Sequence, residues 1–192
     1  MTSTHLYHRT ACIIALFCSI YSLVPAQDKT TAAISDRKRE KALRDNDRAA
    51  QEAMARDAKL FNSKQFRELE SDYQTAAARY READAKPALE AFLKKWSKGN
   101  RVGCATLYLA QKSTGEDREK LLRQCMDQFS DCYYLNGCQV GGLARLYLWD
   151  LLKSAGKSDE ADKLLAELRS KYALCNDHSG KLLIDLIEAT KP

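Results

Sequence analysis

Beyond the first thirty residues, apolar side chains recur at steps of three and four, and no long stretch alternates apolar with polar. That is the period of a helix, not of a strand. Phe66, Leu69, Tyr73, Ala76, Tyr80 and Ala83 make one such stripe, with Arg67, Glu68, Glu70, Asp72 and Arg79 on the opposite side. Asp84 and Pro87 mark a new start, because proline is tolerated in a first helical turn. Leu89, Phe92, Leu93 and Trp96 then form the buried stripe of a short helix that Gly99 ends. Leu143 to Leu152 is apolar nearly all round, interrupted only by Arg145 and Asp150. It predicts a helix covered on several sides, at the centre of the fold. Ser35 to Leu60 reads the other way, rich in alanine and charge, with a thin stripe of Leu43, Ala50, Met54 and Phe61. It predicts a long helix docked less firmly than the rest.

The chain also resembles itself. Residues 119–132 read EKLLRQCMDQFSDC and residues 162–175 read DKLLAELRSKYALC, so Lys120-Leu121-Leu122 falls on Lys163-Leu164-Leu165, Phe129 on Tyr172 and Cys132 on Cys175. At an offset of 39, the stretch from Val102 to Leu109 falls on that from Gly141 to Leu148. A third copy upstream sets Ala88, Leu89, Phe92 and Trp96 against Leu121, Leu122, Cys125 and Phe129. The repeating unit is a two-helix hairpin, which cannot bury both faces alone, so copies stack into a continuous core. The expected pairs are 64–84 with 86–97, 100–113 with 116–130, and 139–155 with 158–173. A last helix over 179–190 follows, with Asp177 and Ser179 as cap residues.

Ala144 to Tyr172 resembles a tetratricopeptide-type (TPR-like) hairpin. Gly156 stands at the inter-helix turn, Ala161 at the small position where the second helix crosses the first, and Leu165 and Leu168 at its apolar positions. The resemblance fades through 100–130 to 64–97. Repeat lengths of 39 and 43 exceed the usual ~34, and Ala173 stands where the family often has proline, which leaves a HEAT-like α-solenoid open. The stretch Asp131 to Arg145 is also similar to uncharacterised exported bacterial proteins with such repeats. The resemblance implies an all-α fold: a right-handed α-α superhelix of stacked hairpins over 64–192, preceded by a charged N-terminal helix over 27–63.

The start of the chain reads as an address. Arg9 is the only formal charge in residues 1–26, Ala11 to Val24 is uncharged, and Val24-Pro25-Ala26 precedes polar Asp28 and Lys29. This is the order of a secretory signal peptide cleaved after Ala26, and it predicts a secreted or periplasmic protein. The apolar run is shorter than the ~20 residues of a bilayer span, so no stable membrane span is expected after cleavage. The formal net charge of +5 is interspersed with acids, as in Asp36-Arg37-Lys38-Arg39-Glu40-Lys41, and speaks for solvated helix faces against a nucleic-acid stripe. Eight glycines and three prolines argue against collagen-like or turn-dense β classes.

Candidate chemistry is sparse. Cys104, Cys125, Cys132, Cys138 and Cys175 lie beyond the leader, an odd number that leaves one thiol unpaired or shared between chains. Cys132 and Cys138 flank a loop and are the nearest candidate disulfide, with Cys104–Cys138 as another; Cys125 fits a buried apolar stripe. Cys175 and His178 form C-x-x-H, which with Cys132 and Cys138 matches no common zinc spacing. Nucleotide-binding, serine-hydrolase and metalloprotease motifs are absent, so neither a cofactor nor catalysis is expected. The reading that follows is a non-catalytic binding or scaffold protein for a protein or peptide partner, with Tyr108, Arg145, Tyr147 and Trp149 as candidate groove residues. The alternative is a cell-envelope enzyme or a redox or metal protein using Cys132, Cys138, Cys175 and His178.

Overall fold

The computed structural model describes residues 34–190, and among these every regular element is helical. The signal-peptide reading falls outside them. The order is α1 (Asp36–Leu60), α2 (Ser63–Ala78) with a 3-10 turn at Arg79–Arg81, α3 (Ala85–Lys95), α4 (Asn100–Lys112), α5 (Gly115–Gln128), α6 (Val140–Ser154), α7 (Ser158–Glu167) continuing as a wider turn at Leu168–Tyr172, and α8 (Leu183–Ala189). Helices α2 and α3, α4 and α5, and α6 and α7 pack as consecutive pairs, and each pair packs on the next.

The stripes read from the sequence are the faces that go inside. Leu69, Tyr73, Leu89, Phe92, Leu107, Leu122, Cys125, Leu143, Leu148 and Leu152 belong to one continuous core, and Ala161 is buried at the α7 start. Helix α6 is covered by α5, α7 and α8, which accounts for its nearly unbroken apolar surface. Charged side chains lie inside as well: Arg101 and Asp57 are each 2% exposed, and Arg101 sits beside Tyr73, its Nε 2.6 Å from Glu70 and its guanidinium 4.6 Å from the Tyr73 ring.

Two expectations are corrected. The last helix does not start at 179. Residues 176–182 form a tight loop in which the Asp177 carboxylate accepts the N–H groups of Ser179 and Lys181, at 2.8 and 2.9 Å, and α8 begins at Leu183. Asp177 therefore caps a turn instead of a helix. The same loop occurs before α6. Val140 N donates to the Cys132 carbonyl and Leu183 N to that of Cys175, both at 2.8 Å. Gly137 N donates to Tyr134 and Gly180 N to Asp177, both at 3.1 Å. Gly137 and Gly180 sit at φ 77° and 82°, a left-handed region that glycine enters without steric cost.

The second correction concerns α1, which is firmly tied. Its buried face is Ala42, Ala50, Ala53 and Asp57; of the expected stripe Ala50 is buried, while Leu43, Met54 and Phe61 are half-buried. Small side chains let the helix lie close on the loops ahead of α4, α6 and α8, and polar ones bind their backbone. Asp57 accepts the N–H groups of Asn100 and Arg101, Arg56 donates to the Asp131 carbonyl, and Asn46 donates to that of Leu174. Arg39 forks onto the Asp185 carboxylate of α8. Helix α1 thus straps three successive loops.

Candidate binding surface

The four groove candidates separate. Trp149 is 6% exposed and belongs to the core, with Lys153 Nζ 5.3 Å above its ring. Arg145 is equally closed off: Nη1 donates to the Gly141 carbonyl and the Ser130 hydroxyl, at 3.0 and 3.2 Å, and Nε lies 3.3 Å from Glu167. Its guanidinium covers the Tyr172 ring at 4.5 Å. Both residues are buried on faces of α6 that its neighbouring helices cover. Tyr108 and Tyr147 stay partly exposed.

Around Tyr108 the chain assembles a row of rings. Tyr80, from the turn after α2, lies 4.7 Å from Tyr108 on α4. His178, from the loop before α8, stacks on Tyr108 at 5.8 Å with its plane tilted by 27°. Tyr134, from the loop before α6, fills in beneath, 4.9 Å from Tyr108 and 4.5 Å from His178. The Tyr134 hydroxyl donates to the Cys104 carbonyl at 2.8 Å, which keeps this buried ring in register. Asn136 Nδ2 donates to the His178 carbonyl at 3.2 Å and ties the two loops together.

The setting is apolar enough to move these groups. Burial pushes the phenols of Tyr108 and Tyr147 up to about 12. It also holds the His178 imidazole below its ordinary value, only partly opposed by Asp177. At neutral pH the row is therefore uncharged. The charge is at one end, where Lys112 Nζ sits 4.3 Å over Tyr80. The Tyr80 hydroxyl donates to Gln111 Oε1, whereas Gln111 Nε2 and Arg118 Nε are buried without a hydrogen-bond partner.

The cysteines make a different pattern. All five described ones are free thiols. Cys132 and Cys138, the candidate pair, are not joined; Cys138 Sγ is directed at the Asn176 carbonyl at 3.1 Å, and Cys132 Sγ is 4.0 Å from that of Gly99. Cys104 donates to the Tyr133 carbonyl at 3.3 Å and Cys175 to Gln139 Oε1 at 2.9 Å. Burial raises every one of these thiols, Cys175 to about 11 and Cys132 to about 12. A thiol so raised stays protonated at neutral pH and is a poor nucleophile. Among the described residues no cluster of three His, Cys, Asp or Glu side chains could hold a metal ion, and no helix is long and apolar enough to cross a membrane.

Tyr108 and Tyr147, two of the groove candidates, are partly exposed, whereas Tyr80 comes from the end of the α2 stripe and His178 from the C-x-x-H segment. Tyr134 was passed over. The available signal was the recurrence of Cys132 at Cys175, which continues to Gly137 and Gly180 and sets two like loops beside the same helix face. Compared with protein-family models, curated proteins and solved structures, the chain matches none.

Proposed function

We propose that this chain is an exported, non-catalytic binding or scaffold protein of the TPR-like helical-repeat type, acting in the cell envelope on a protein or peptide. The observation that carries the reading is the ring row Tyr80–Tyr108–His178, with Tyr147 on the next hairpin. Rings from successive units remain partly open where a core would have closed over them. Aromatic side chains offer large contact area at little entropic cost and are frequent anchors of interfaces. The recurrence of one loop and one packing pattern supports the right-handed superhelix of stacked hairpins, since units of this kind present extended inner surfaces. The apolar, uncharged stretch before Ala26 supports export with cleavage at that site. The raised thiols weigh against the redox or enzymatic alternative.

The test is cross-linking in envelope extracts. The mature chain from Gln27 should capture a discrete partner, and Tyr108→Ala should reduce capture at least tenfold at a temperature where circular dichroism shows the variant still folded. Equal capture by both would remove the ring row from the interface, and a chain retaining Met1 in an exported pool would overturn the cleavage site.

A further inference from the structure

The ring row is open to water along its length. His178 and Leu135 are exposed, Leu135 to 63%, and Tyr80 and Tyr108 are half-buried. Leu135 belongs beside the row. Tyr134 on one side of it lies 4.5 Å from the His178 ring, and Asn136 on the other binds the His178 carbonyl. An exposed apolar side chain therefore extends the aromatic surface at its His178 end. The same surface offers little to a peptide's N–H groups. The Tyr80 hydroxyl is engaged with Gln111 Oε1 and that of Tyr134 with the Cys104 carbonyl. Every regular element among the described residues is a helix, so no strand edge stands there for an extended chain to pair with.

We propose that the row receives a proline-rich segment in the polyproline conformation, with two prolines one turn apart on Tyr80 and His178 and Tyr108 between them. The inference rests on the binding-protein reading and names its ligand class. Spacing is the first support. Tyr80, Tyr108 and His178 follow one another at 4.7 and 5.8 Å, so the outer rings are at most about 10 Å apart, close to the ~9 Å of one polyproline turn. Prolines at i and i+3 face the same side of such a helix and reach both ends of the row. Hydrogen bonding is the second. An ordinary peptide laid on these rings would turn N–H groups from water to apolar surface and lose their hydration. Proline carries no N–H to lose. Charge agrees, because the rings are neutral and the one cation placed on them, Lys112, sits over Tyr80 at the end. A polyproline segment is also extended before it binds, so little ordering entropy is spent, and aromatic-lined surfaces are where such segments dock.

The experiment uses the mature chain and three acetylated, amidated, uncharged heptapeptides, with binding read by calorimetry. The first is Pro-Gln-Gln-Pro-Gln-Gln-Pro. The second has alanine for each proline, and the third, Pro-Gln-Pro-Gln-Pro-Gln-Gln, keeps the composition and breaks the spacing. The first should bind at least tenfold tighter than the alanine peptide and at least threefold tighter than the respaced one. His178→Ala and Leu135→Ala remove exposed side chains, so the fold should persist by circular dichroism while each weakens the first peptide at least threefold. Leu60→Ala, an exposed change at the end of α1, should leave that affinity unchanged. Equal binding of the proline and alanine peptides, equal binding of the two spacings, undiminished binding in either ring-row variant, or an equal loss in Leu60→Ala would overturn the proposal. Failure of all three peptides, with Tyr108→Ala still abolishing cross-linking to an envelope partner, would leave the binding function standing and the polyproline ligand refuted.

Discussion

The carboxylate of Asp57 on α1 accepts the backbone N–H of Asn100 at 2.6 Å, and that of Arg101 at 3.2 Å, across more than forty residues of chain. These are orphan donors at the start of α4, where Gly99 has no side chain to cap them. The cap is supplied from another helix. Asn100 passes the arrangement on: its side chain donates to the Tyr133 carbonyl at 2.8 Å and accepts from Tyr133 N at 2.6 Å.

Asp57→Ala should therefore cost more than an ordinary surface change. Two buried N–H groups lose their acceptor, and the expected loss is about 2–3 kcal/mol. Asp57→Asn, which keeps one carbonyl oxygen in place, should lose less than half of that. Urea denaturation of the three chains measures both values, and equal stability of all three would mean that water replaces the cap.

The close approach of helices to loops sets a ranking among glycines. A Cβ on Gly103 would stand 2.6 Å from Cys132 Sγ and 2.8 Å from Phe129 Cβ, and one on Gly141 would stand 2.7 Å from the Ser130 carbonyl oxygen and Cα. On Gly142 the nearest atom would be Leu183 Cδ1, at 3.2 Å. Gly103→Ala and Gly141→Ala should each cost about 1–3 kcal/mol by overpacking. Gly142→Ala should cost clearly less, and thermal melts that reverse this order would contradict the packing described.

Trp149 and Tyr147 differ in burial by little in sequence and much in consequence. Trp149→Ala should lose about 3–5 kcal/mol, the range for truncating a buried large aromatic. Tyr147→Ala should lose less, because its ring is partly in water. A Trp149→Ala loss below about 1 kcal/mol would put that side chain on the surface.

Acid should loosen the strap at its far end. Arg39 holds the Asp185 carboxyl below the usual carboxylate range, first by hydrogen bonding and then by charge. The folded-state value is the lower one, so this pair stabilises above about pH 4 and the contribution fades as pH falls through the depressed value. Asp185→Asn should flatten that acid limb and speed hydrogen exchange in the first turns of α1. Both side chains are about one-third exposed, and screening by water keeps the effect at pH 7 small. An acid limb unchanged by the substitution would argue that the pair is not formed in solution.

Helices α2 to α7 were legible because large apolar side chains announce their faces. Leu69, Tyr73, Leu122 and Leu148 each sit where a period of three and four sets them. The seam of α1 was not legible, because Ala42, Ala53, Asn46 and Asp57 contribute little to any hydrophobic pattern. Leu43 and Met54 outweighed them and turned the predicted face by about one residue. The loops ahead of α6 and α8 were hidden for another reason. Their shape is held by backbone bonds, such as Leu183 N to the Cys175 carbonyl, and side-chain identity is left nearly free apart from Gly137 and Gly180. The ring row needed both loops in place before Tyr134 and His178 could be seen beside Tyr108.

The strap has a consequence for the order of assembly. Helix α1 leaves the ribosome before its partners exist: Leu174 lies 128 residues after Asn46, and Asp185 lies 146 after Arg39. The later hairpins can close on one another as each is completed, since they touch chiefly their neighbours. Helix α1 cannot finish docking until the last loop is made. Its seam of alanines and polar side chains suits that wait, because an unpaired α1 exposes little that would stick to another unfinished chain. The first described segment to be synthesised is thus the last to be fastened, and its fastening reports that the whole stack has formed.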